Sequence, residues 1–593
     1  MSNFSFRINV IGIFFTVIGS LVIFQMGRIQ SSEAATSLGE SNDRQYSFVN
    51  ETVYPERGNI YDRMGFLIAG NKTVFEIGVN LLTVKNPQTI AETLASIPDL
   101  GLNYADVLAS ASLEYEEGLA EYVVLIDSVG PDVISRLDEI KGNYQRESLK
   151  VRDGDGMPSL QGLEWNAYLQ RSYPEKSMAS NVLGFYKFRD REEGAGFYGV
   201  EEQYDDLMSG TPVDVVIPLD PNEVYDVPTV PPGDSLILTI DREIQASVER
   251  IVDAAVEQNG AASGTVIVMD PRNGEILAMV STPRLDLNEY WRVKEVYPGN
   301  MPFNRTVGET YEPGSVFKIL TMAAALDSGL VTPDTPFLDE GFIMVGGVPI
   351  YNWDRRAWGP QTMTTCMQHS LNVCLAWVST EMGAETFYSY MHAFGVDRRT
   401  NIDLADEVSS PLSEPGDGFW YPINLGTNAY GQGLAITPMQ LTMAVAAVAN
   451  EGKMMAPHIL RAVISNGRQY NNTPQVVSSP ISAETAATLN EMLAVSLEKE
   501  ASTALVPGYR VAGKTGTAQI PDPVAGYHDV LTNASFVGWG PVDDPRFVVY
   551  IWIEKPVSSP WGSVVAAPIF SEIVQHLVVL LNLPPDDMRQ QLE

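Results

Sequence analysis

The chain has 593 residues and a formal net charge of −36, long enough for more than one domain and too acidic to grip nucleic acid or an anionic lipid surface, either of which needs a basic patch. With 45% hydrophobic and 19% charged residues it has ample material for a globular core. Its two cysteines, Cys366 and Cys374, are eight residues apart, too far along one helix to bridge; they are read as buried thiols, and so few leave the redox compartment open.

Ile8 to Met26 runs without a charge between Arg7 and Arg28. It is about long enough to cross a bilayer core and predicts a transmembrane helix over residues 8–27, with residues 1–7 as a short cytoplasmic tail. Ser32-Glu33-Ala34 offers the small residues of a cleaved signal peptide, yet the apolar stretch is longer than the roughly 7–15 residues of a signal core. Arg7 before the helix, and Glu33, Glu40 and Asp43 after it, put the bulk of the chain outside. Residues 28 to about 50 show no periodicity and read as a tether. Short apolar runs such as Val74 to Val79 and Tyr122 to Ile126 then alternate with polar helices up to about residue 219, a mixed α/β stalk. Arg57-Gly58 with Asp62-Arg63 is charged enough for a catalytic reading, but a salt-bridged turn and strand is preferred. Tyr173-Pro174, Leu183-Gly184 and Gly199-Val200-Glu201 also read as structural.

Pro221, Pro228, Pro231 and Pro232 between Asp220 and Gly233 form a stiff linker. The stalk with its linker is therefore assigned to residues 28–234 and a second domain to 235–593. Ile244, Val248, Ile251, Val252, Ala255 and Val256 share one helical face, with Gly260 as the stop. Thr265 to Asp270 and Ile276 to Thr282 flank an Asn273-Gly274 turn and read as a hairpin. After a largely helical middle, Tyr509 to Ile520 reads as a strand. Ser535 to Trp539 and Phe547 to Ile553 read as a hairpin about Asp543-Asp544-Pro545, and a closing helix spans about 567–581. These elements predict an antiparallel sheet built from both ends of the domain, with helices packed on it.

Ser315 opens an apolar helix that continues from Ile319 to Leu326, with Gly329 placed to end it, and Lys318 follows three residues after the serine. One turn brings the amine back beside the hydroxyl, and burial in so apolar a run pulls the lysine toward its neutral, basic form. A serine needs such a neighbour to act as a nucleophile. Alone the pattern is weak, since Ser496-Leu497-Glu498-Lys499 repeats it in a polar helix. Ser315 as a helix N-cap and Lys318 as a snorkelling surface lysine are the bland alternatives. Ser370-Leu371-Asn372 and Lys514-Thr515-Gly516 follow in order. Ser370 also reads as an N-cap for the helix through Val373 to Val378, and Lys514 as the guard of a sheet edge. The histidines His369, His392, His458, His528 and His576 have no metal-ligand spacing, and there is no Gly-x-Ser-x-Gly elbow or phosphate loop. No metal and no cofactor are expected.

The three motifs, in this order, resemble those of class B penicillin-binding proteins, membrane-anchored peptidoglycan D,D-transpeptidases whose superfamily carries Ser-x-x-Lys, Ser-Asp-Asn and Lys-Thr-Gly. Leu371 stands where that pattern has aspartate. Arg57 to Arg63, Tyr198 to Glu201, Thr239-Ile240-Asp241, and Gly431-Gln432-Gly433 with Thr437-Pro438 resemble further family signatures, so the likeness covers the chain from about residue 50 onward. It implies the α+β fold of serine β-lactamases and transpeptidases on an N-terminal dimerisation-type stalk. It also implies acyl transfer in two steps: Lys318 takes the proton of Ser315, and Ser370 passes one to the leaving amine. Asn372 would hold a substrate amide. Lys514, Thr515, Gly516 and Thr517 would bind a peptide laid along their strand, with the Lys514 ammonium facing the carboxylate of a D-Ala-D-Ala stem peptide. In the family the backbone N–H groups equivalent to those of Ser315 and Thr517 form the oxyanion hole. The expected partners are peptidoglycan stem peptides, β-lactams, the membrane and a multi-pass glycosyltransferase of the SEDS type. A D,D-carboxypeptidase or β-lactamase, in which water resolves the ester, and a non-catalytic β-lactam-binding scaffold or sensor are the competing readings. The seven residues before Ile8 leave no room for a signalling domain.

Overall fold

The computed structural model describes residues 13, 15–26, 28, 48–116, 120–150, 157–189, 193–218, 230–522 and 526–592. The chain forms two compact units, one within residues 1–56 and 210–232 and the other comprising 57–209 and 233–593. The first contains the apolar helix Phe15–Met26, whose large side chains are exposed, and an antiparallel pair, Phe48–Val53 with Val213–Pro218. The beginning of the expected anchor, residues 8–12, and most of the tether and linker lie outside the described residues.

The second unit holds two large sheets. In one, the strands run in the order 468–471, 460–465, 235–238, 60–61, 67–80 and 122–129, and Leu163–Ser172 also pairs with Leu67–Asn80. The two stalk runs expected as strands are antiparallel neighbours, with Val79 opposite Val123. Ile77 and Val79 lie on one face of the pleat and pack on Ile90, Leu94, Val107 and Leu137. Arg57 is structural: its guanidinium meets Glu201 at 2.8 Å and Asp205 at 2.6 Å, and Arg171 meets Glu201 from the other side at 2.8 Å. Burial would raise the Glu201 carboxyl, but Arg171 and Arg57 outweigh it and hold the group below its ordinary value. Asp62 accepts from the amides of Met64 and Phe66 in the following turn.

The other sheet has five strands: β1 (Ser263–Met269), β2 (Ile276–Ser281), β3 (Ala512–Asp522), β4 (Gly526–Gly540) and β5 (Phe547–Glu554). They lie antiparallel in the order β2-β1-β5-β4-β3, so strands from both ends of the domain interleave and β3 is an edge. Both expected hairpins form. Both faces of the sheet are covered, which is why β1 is buried at every residue instead of alternating. Val266, Val268, Ile551 and Ile553 face a core shared with helices α1 (Arg242–Asn259) and α7 (Gly562–Leu580). Ile267, Met269, Val548 and Tyr550 face the larger core. That core also takes in α2 (Lys318–Asp327), α3 (Met363–Gln368), α4 (Asn372–Met382), α5 (Pro438–Ala449) and α6 (Ala483–Glu500). α1 stops at Gly260 in the left-handed conformation, as expected. α7 is the helix among those described that is long and apolar enough to span a membrane, yet eleven of its residues are buried in this domain.

One expectation fails. Cys366 and Cys374 form a disulfide, with Cα atoms 6.2 Å apart. The error lay in placing both on one helix: α3 ends at Gln368, the chain turns through His369, Ser370 and Leu371, and α4 starts at Asn372. The turn brings the two side chains within bridging range.

Candidate active site

The turn carrying Ser315 is held on both sides. Residues Gly314–Phe317 form a 3-10 turn that runs directly into α2, and in a 3-10 turn positions i and i+3 eclipse, so Ser315 and Lys318 stack along the axis. Gly314, at φ +61°, donates its N–H to the Gly431 carbonyl at 3.0 Å. A Cβ on Gly431 would lie 2.2 Å from the Gly314 oxygen, and a Cβ on Gly516 of β3 would lie 3.0 Å from Val316. From Pro313 to Ala325 every residue is buried except Ser315, which is partly open to solvent. Neither bland alternative for this pair holds, since Ser315 lies inside the turn and Lys318 is 0% exposed.

Lys318 is where two motifs meet. Its Nζ lies 2.7 Å from the Ser370 carbonyl oxygen, 3.1 Å from Ser370 Oγ and 2.8 Å from Asn372 Oδ1. Burial first, then the nearby Lys514 charge, lower its pKa well below the ordinary lysine value. A neutral amine has two protons and a lone pair, and the three neighbours fit that form: two oxygens that only accept, and one hydroxyl that can donate back to nitrogen.

Ser370 takes this position through a helix ending. It sits at φ +55°, its N–H donates to the Met367 carbonyl at 3.3 Å, and the Leu371 N–H donates to the Cys366 carbonyl at 3.0 Å. This is a Schellman closure of α3 with serine where glycine is usual, at a cost of about 1–2 kcal/mol. Leu371, not Ser370, is the N-cap residue of α4, so Ser370 is not a cap.

Pleating sorts the third motif. Lys514, Gly516 and Ala518 are buried, while Thr515 and Thr517 are half-buried on the opposite face. Lys514 is only 4% exposed, so although β3 is an edge its lysine does not guard that edge toward solvent. Burial brings it down to about 8, against a smaller opposing effect of Glu500. Thr517 Oγ1 accepts the Gly562 N–H at 3.1 Å, at the start of α7. The second Ser-x-x-Lys match is inert: Ser496 donates to the Met492 carbonyl within α6 at 2.6 Å, and Lys499 is exposed. His369 stacks on Trp358 and faces Glu500.

The sequence matches the penicillin binding protein transpeptidase domain over residues 264–575 and the penicillin-binding protein dimerisation domain over residues 52–223. The chain belongs to the penicillin-binding protein transpeptidase family. Stage V sporulation protein D of Bacillus subtilis is 31% identical over 98% of this chain and 86% of its own length. The peptidoglycan D,D-transpeptidase FtsI homolog of Mesostigma viride is 24% identical over 98% of this chain and 96% of that protein. Among solved structures, penicillin binding protein 3 of Mycobacterium tuberculosis, complexed with aztreonam, superposes with a TM-score of 0.67 at 25% identity, covering 90% of this chain and 98% of that one.

Within this penicillin-binding protein the departure at Leu371 has a local reason. Leu371 is 0% exposed and supplies the apolar contact of the helix closure, while Ser370 and Asn372 on either side of it reach Lys318. Sequence reasoning missed the contact of Gly431 with the Ser315 turn, the left-handed serine and the disulfide. The Gly431-Gln432-Gly433 signature marked the first only as a likeness, and no local signal marked the other two.

Proposed function

We propose that this protein crosslinks peptidoglycan stem peptides by acyl transfer through an ester on Ser315. The observation that carries the reading is a fully buried Lys318 hydrogen-bonded to Ser370 and Asn372, one turn from the only solvent-accessible residue of its segment. Neutral Lys318 accepts the Ser315 proton as the oxygen attacks the penultimate D-alanine carbonyl. The proton returns through Ser370 Oγ to the departing D-alanine amine. An amine from a second stem peptide then attacks the ester, loses its proton to the same lysine and restores the serine. Asn372 holds the substrate amide, the buried Lys514 charge attracts its terminal carboxylate while Thr515 on the open face meets it, Gly516 leaves room for the Ser315 turn against β3, and the N–H groups of Ser315 and Thr517 receive the oxyanion. The exposed apolar helix ending at Met26 anchors the protein in the cytoplasmic membrane once, with residues 28–234 as stalk and 235–593 as the transpeptidase domain outside it, beside a multi-pass glycosyltransferase.

Intact mass after incubation with a penicillin tests this. A persistent one-to-one adduct, lost in Ser315→Ala and much slowed in Lys318→Ala, is the expected result. A transient adduct with drug turnover would instead indicate hydrolysis, and no adduct in folded wild-type protein would overturn the catalytic assignment.

A further inference from the structure

The hairpin beside the Ser370 turn is apolar on both of its faces. Phe342–Val345 pairs antiparallel with Val348–Tyr351 about the Gly346-Gly347 turn. On the inner face Ile343, Val345 and Ile350 pack with Ala376 of α4 and with Tyr430. An antiparallel pair covered on one side usually shows polar residues on the other. Here the outer face carries Phe342 opposite Tyr351 and Met344 opposite Pro349. Phe342, Met344 and Tyr351 are 49%, 54% and 46% exposed, and the two rings lie 6.3 Å apart. At the tip, a Cβ on Gly346 would lie 2.6 Å from the Pro422 side chain, so the exposed Tyr421 continues the apolar face beyond the turn. A contiguous apolar face left in solvent marks a binding surface.

Charge and place say what binds. The ten residues from Phe342 to Tyr351 include no charged side chain, in a chain of net charge −36, which suits an uncharged ligand. The Tyr351 carbonyl accepts from Asn372 Nδ2 at 3.3 Å, and Asn372 Oδ1 lies 2.8 Å from Lys318 Nζ, so two hydrogen bonds lead from the lysine to the near end of the hairpin. Asn372 holds the amide of the acyl donor and the leaving D-alanine lies toward Lys514, so the rest of the stem runs the other way, past Tyr351. Four residues of extended stem span about 14 Å. The sugar chain that bears them therefore arrives over the hairpin, whose strands run on for about 10–14 Å.

We propose that the outer face of this hairpin, continued by Tyr421, is a track for the glycan strand of the acyl donor. That strand is a β-linked chain of N-acetylated hexosamines, uncharged where stem peptides occupy its carboxylates, and each ring has a face of C–H groups that can cover an aromatic or methionine side chain. An elongated face fits a polymer better than a point ligand. The proposal rests on the transpeptidase reading above.

The test measures how well two donors protect the full chain from acylation by a fluorescent penicillin: a free pentapeptide stem, and a tetrasaccharide of N-acetylated hexosamines carrying one such stem. The wild type is expected to be half-protected by the glycan-linked donor at about a tenfold lower concentration, the factor that covering about 50 Å² of apolar surface supplies. In Phe342→Ser and in Met344→Ser the ratio falls toward one, and Phe342→Tyr retains most of it. A ratio within one preparation does not depend on how much of a variant is folded. A wild-type ratio near one, or an unchanged ratio in both serine variants, would overturn the track while leaving the acyl-enzyme standing. If the ratio is near one and Phe342→Ser dissociates a dimer on sedimentation, the face belongs to a second copy. Failure of either donor to protect protein that the penicillin does label would overturn the stem-peptide reading on which the track rests.

Discussion

Lys514 should make the free protein less stable than it need be, and the cost can be worked out. Its pKa falls from 10.5 to about 8 because burial removes water from the ammonium and the charge of Glu500 offsets only part of that loss. The folded pKa is the lower one, so between pH 8 and 10.5 the unfolded chain holds a proton that the folded chain has lost, and wild-type stability rises with pH through that window. A shift of about 2.5 units corresponds to about 3.4 kcal/mol at pH 7 and about 0.8 kcal/mol at pH 10. Lys514→Met keeps the volume and removes the charge, but it also removes the hydrogen bond from Nζ to the Thr515 carbonyl at 3.2 Å, worth about 1 kcal/mol. The variant should therefore be about 2 kcal/mol more stable than wild type at pH 7 and no more stable at pH 10, as read from guanidinium unfolding at constant ionic strength. The same change should slow acylation about 10–100-fold if Lys514 is, as proposed, the cation that attracts the substrate carboxylate. Equal stability at pH 7, or an advantage that persists at pH 10, would show that Lys514 is not a desolvated charge and would refute the reasoning.

The acylation rate of the wild type should rise with pH as Lys318 sheds its proton and fall about tenfold per unit above pH 8 as Lys514 loses its charge. Lys514→Arg should abolish the falling limb, and a wild-type rate flat from pH 6 to 9 would refute the assignments. Gly431→Ala puts a Cβ 2.2 Å from the Gly314 oxygen at a φ of +79°. It should cost about 3 kcal/mol or more and slow adduct formation in the protein that does fold, whereas wild-type behaviour in both would remove the clamp from the account. Glu201→Gln leaves Arg57 and Arg171 facing a neutral group and should cost about 3–5 kcal/mol in unfolding while acylation per folded molecule stays unchanged; slower acylation would give that network a role beyond structure. Replacing both Cys366 and Cys374 with alanine opens a closure of sequence separation 8 and should cost about 2–3 kcal/mol by loop entropy, measured by the same unfolding.

Much of this was readable along the chain, for identifiable reasons. The hairpin about Asn273-Gly274 and the stop of α1 at Gly260 depend on turn chemistry acting over a few residues, and both form. The desolvation of Lys318 was legible because each of the side chains from Ile319 to Leu326, Thr321 apart, is apolar, which favours burying that helix on most of its sides. The break at Ser370 was not legible. Serine gives no signal for a left-handed residue, and without the break Cys366 and Cys374 fall on one helix, where the conclusion that they cannot pair is sound. The same limit hid Gly431 behind Gly314: the contact joins distant segments, and neither partner carries a local mark of it.

Ser370, Lys318 and Lys514 share a physical character. A serine holds the conformation of a glycine, and two lysines lie in an apolar interior, so each departs from local preference at the place where the proposed chemistry needs it. Such departures persist only where the surroundings leave no alternative. Here those surroundings are non-local: the Gly431 carbonyl on Gly314, Asn352 on the first turn of α4, and the disulfide from α3 to α4. Lys318 is set by the same contacts, since two of its three partners belong to the strained Ser370 itself. Relaxing the turn at Ser370 would therefore move the neighbours of the Lys318 amine as well as the serine, which couples the geometry of the middle motif to the basicity of the first.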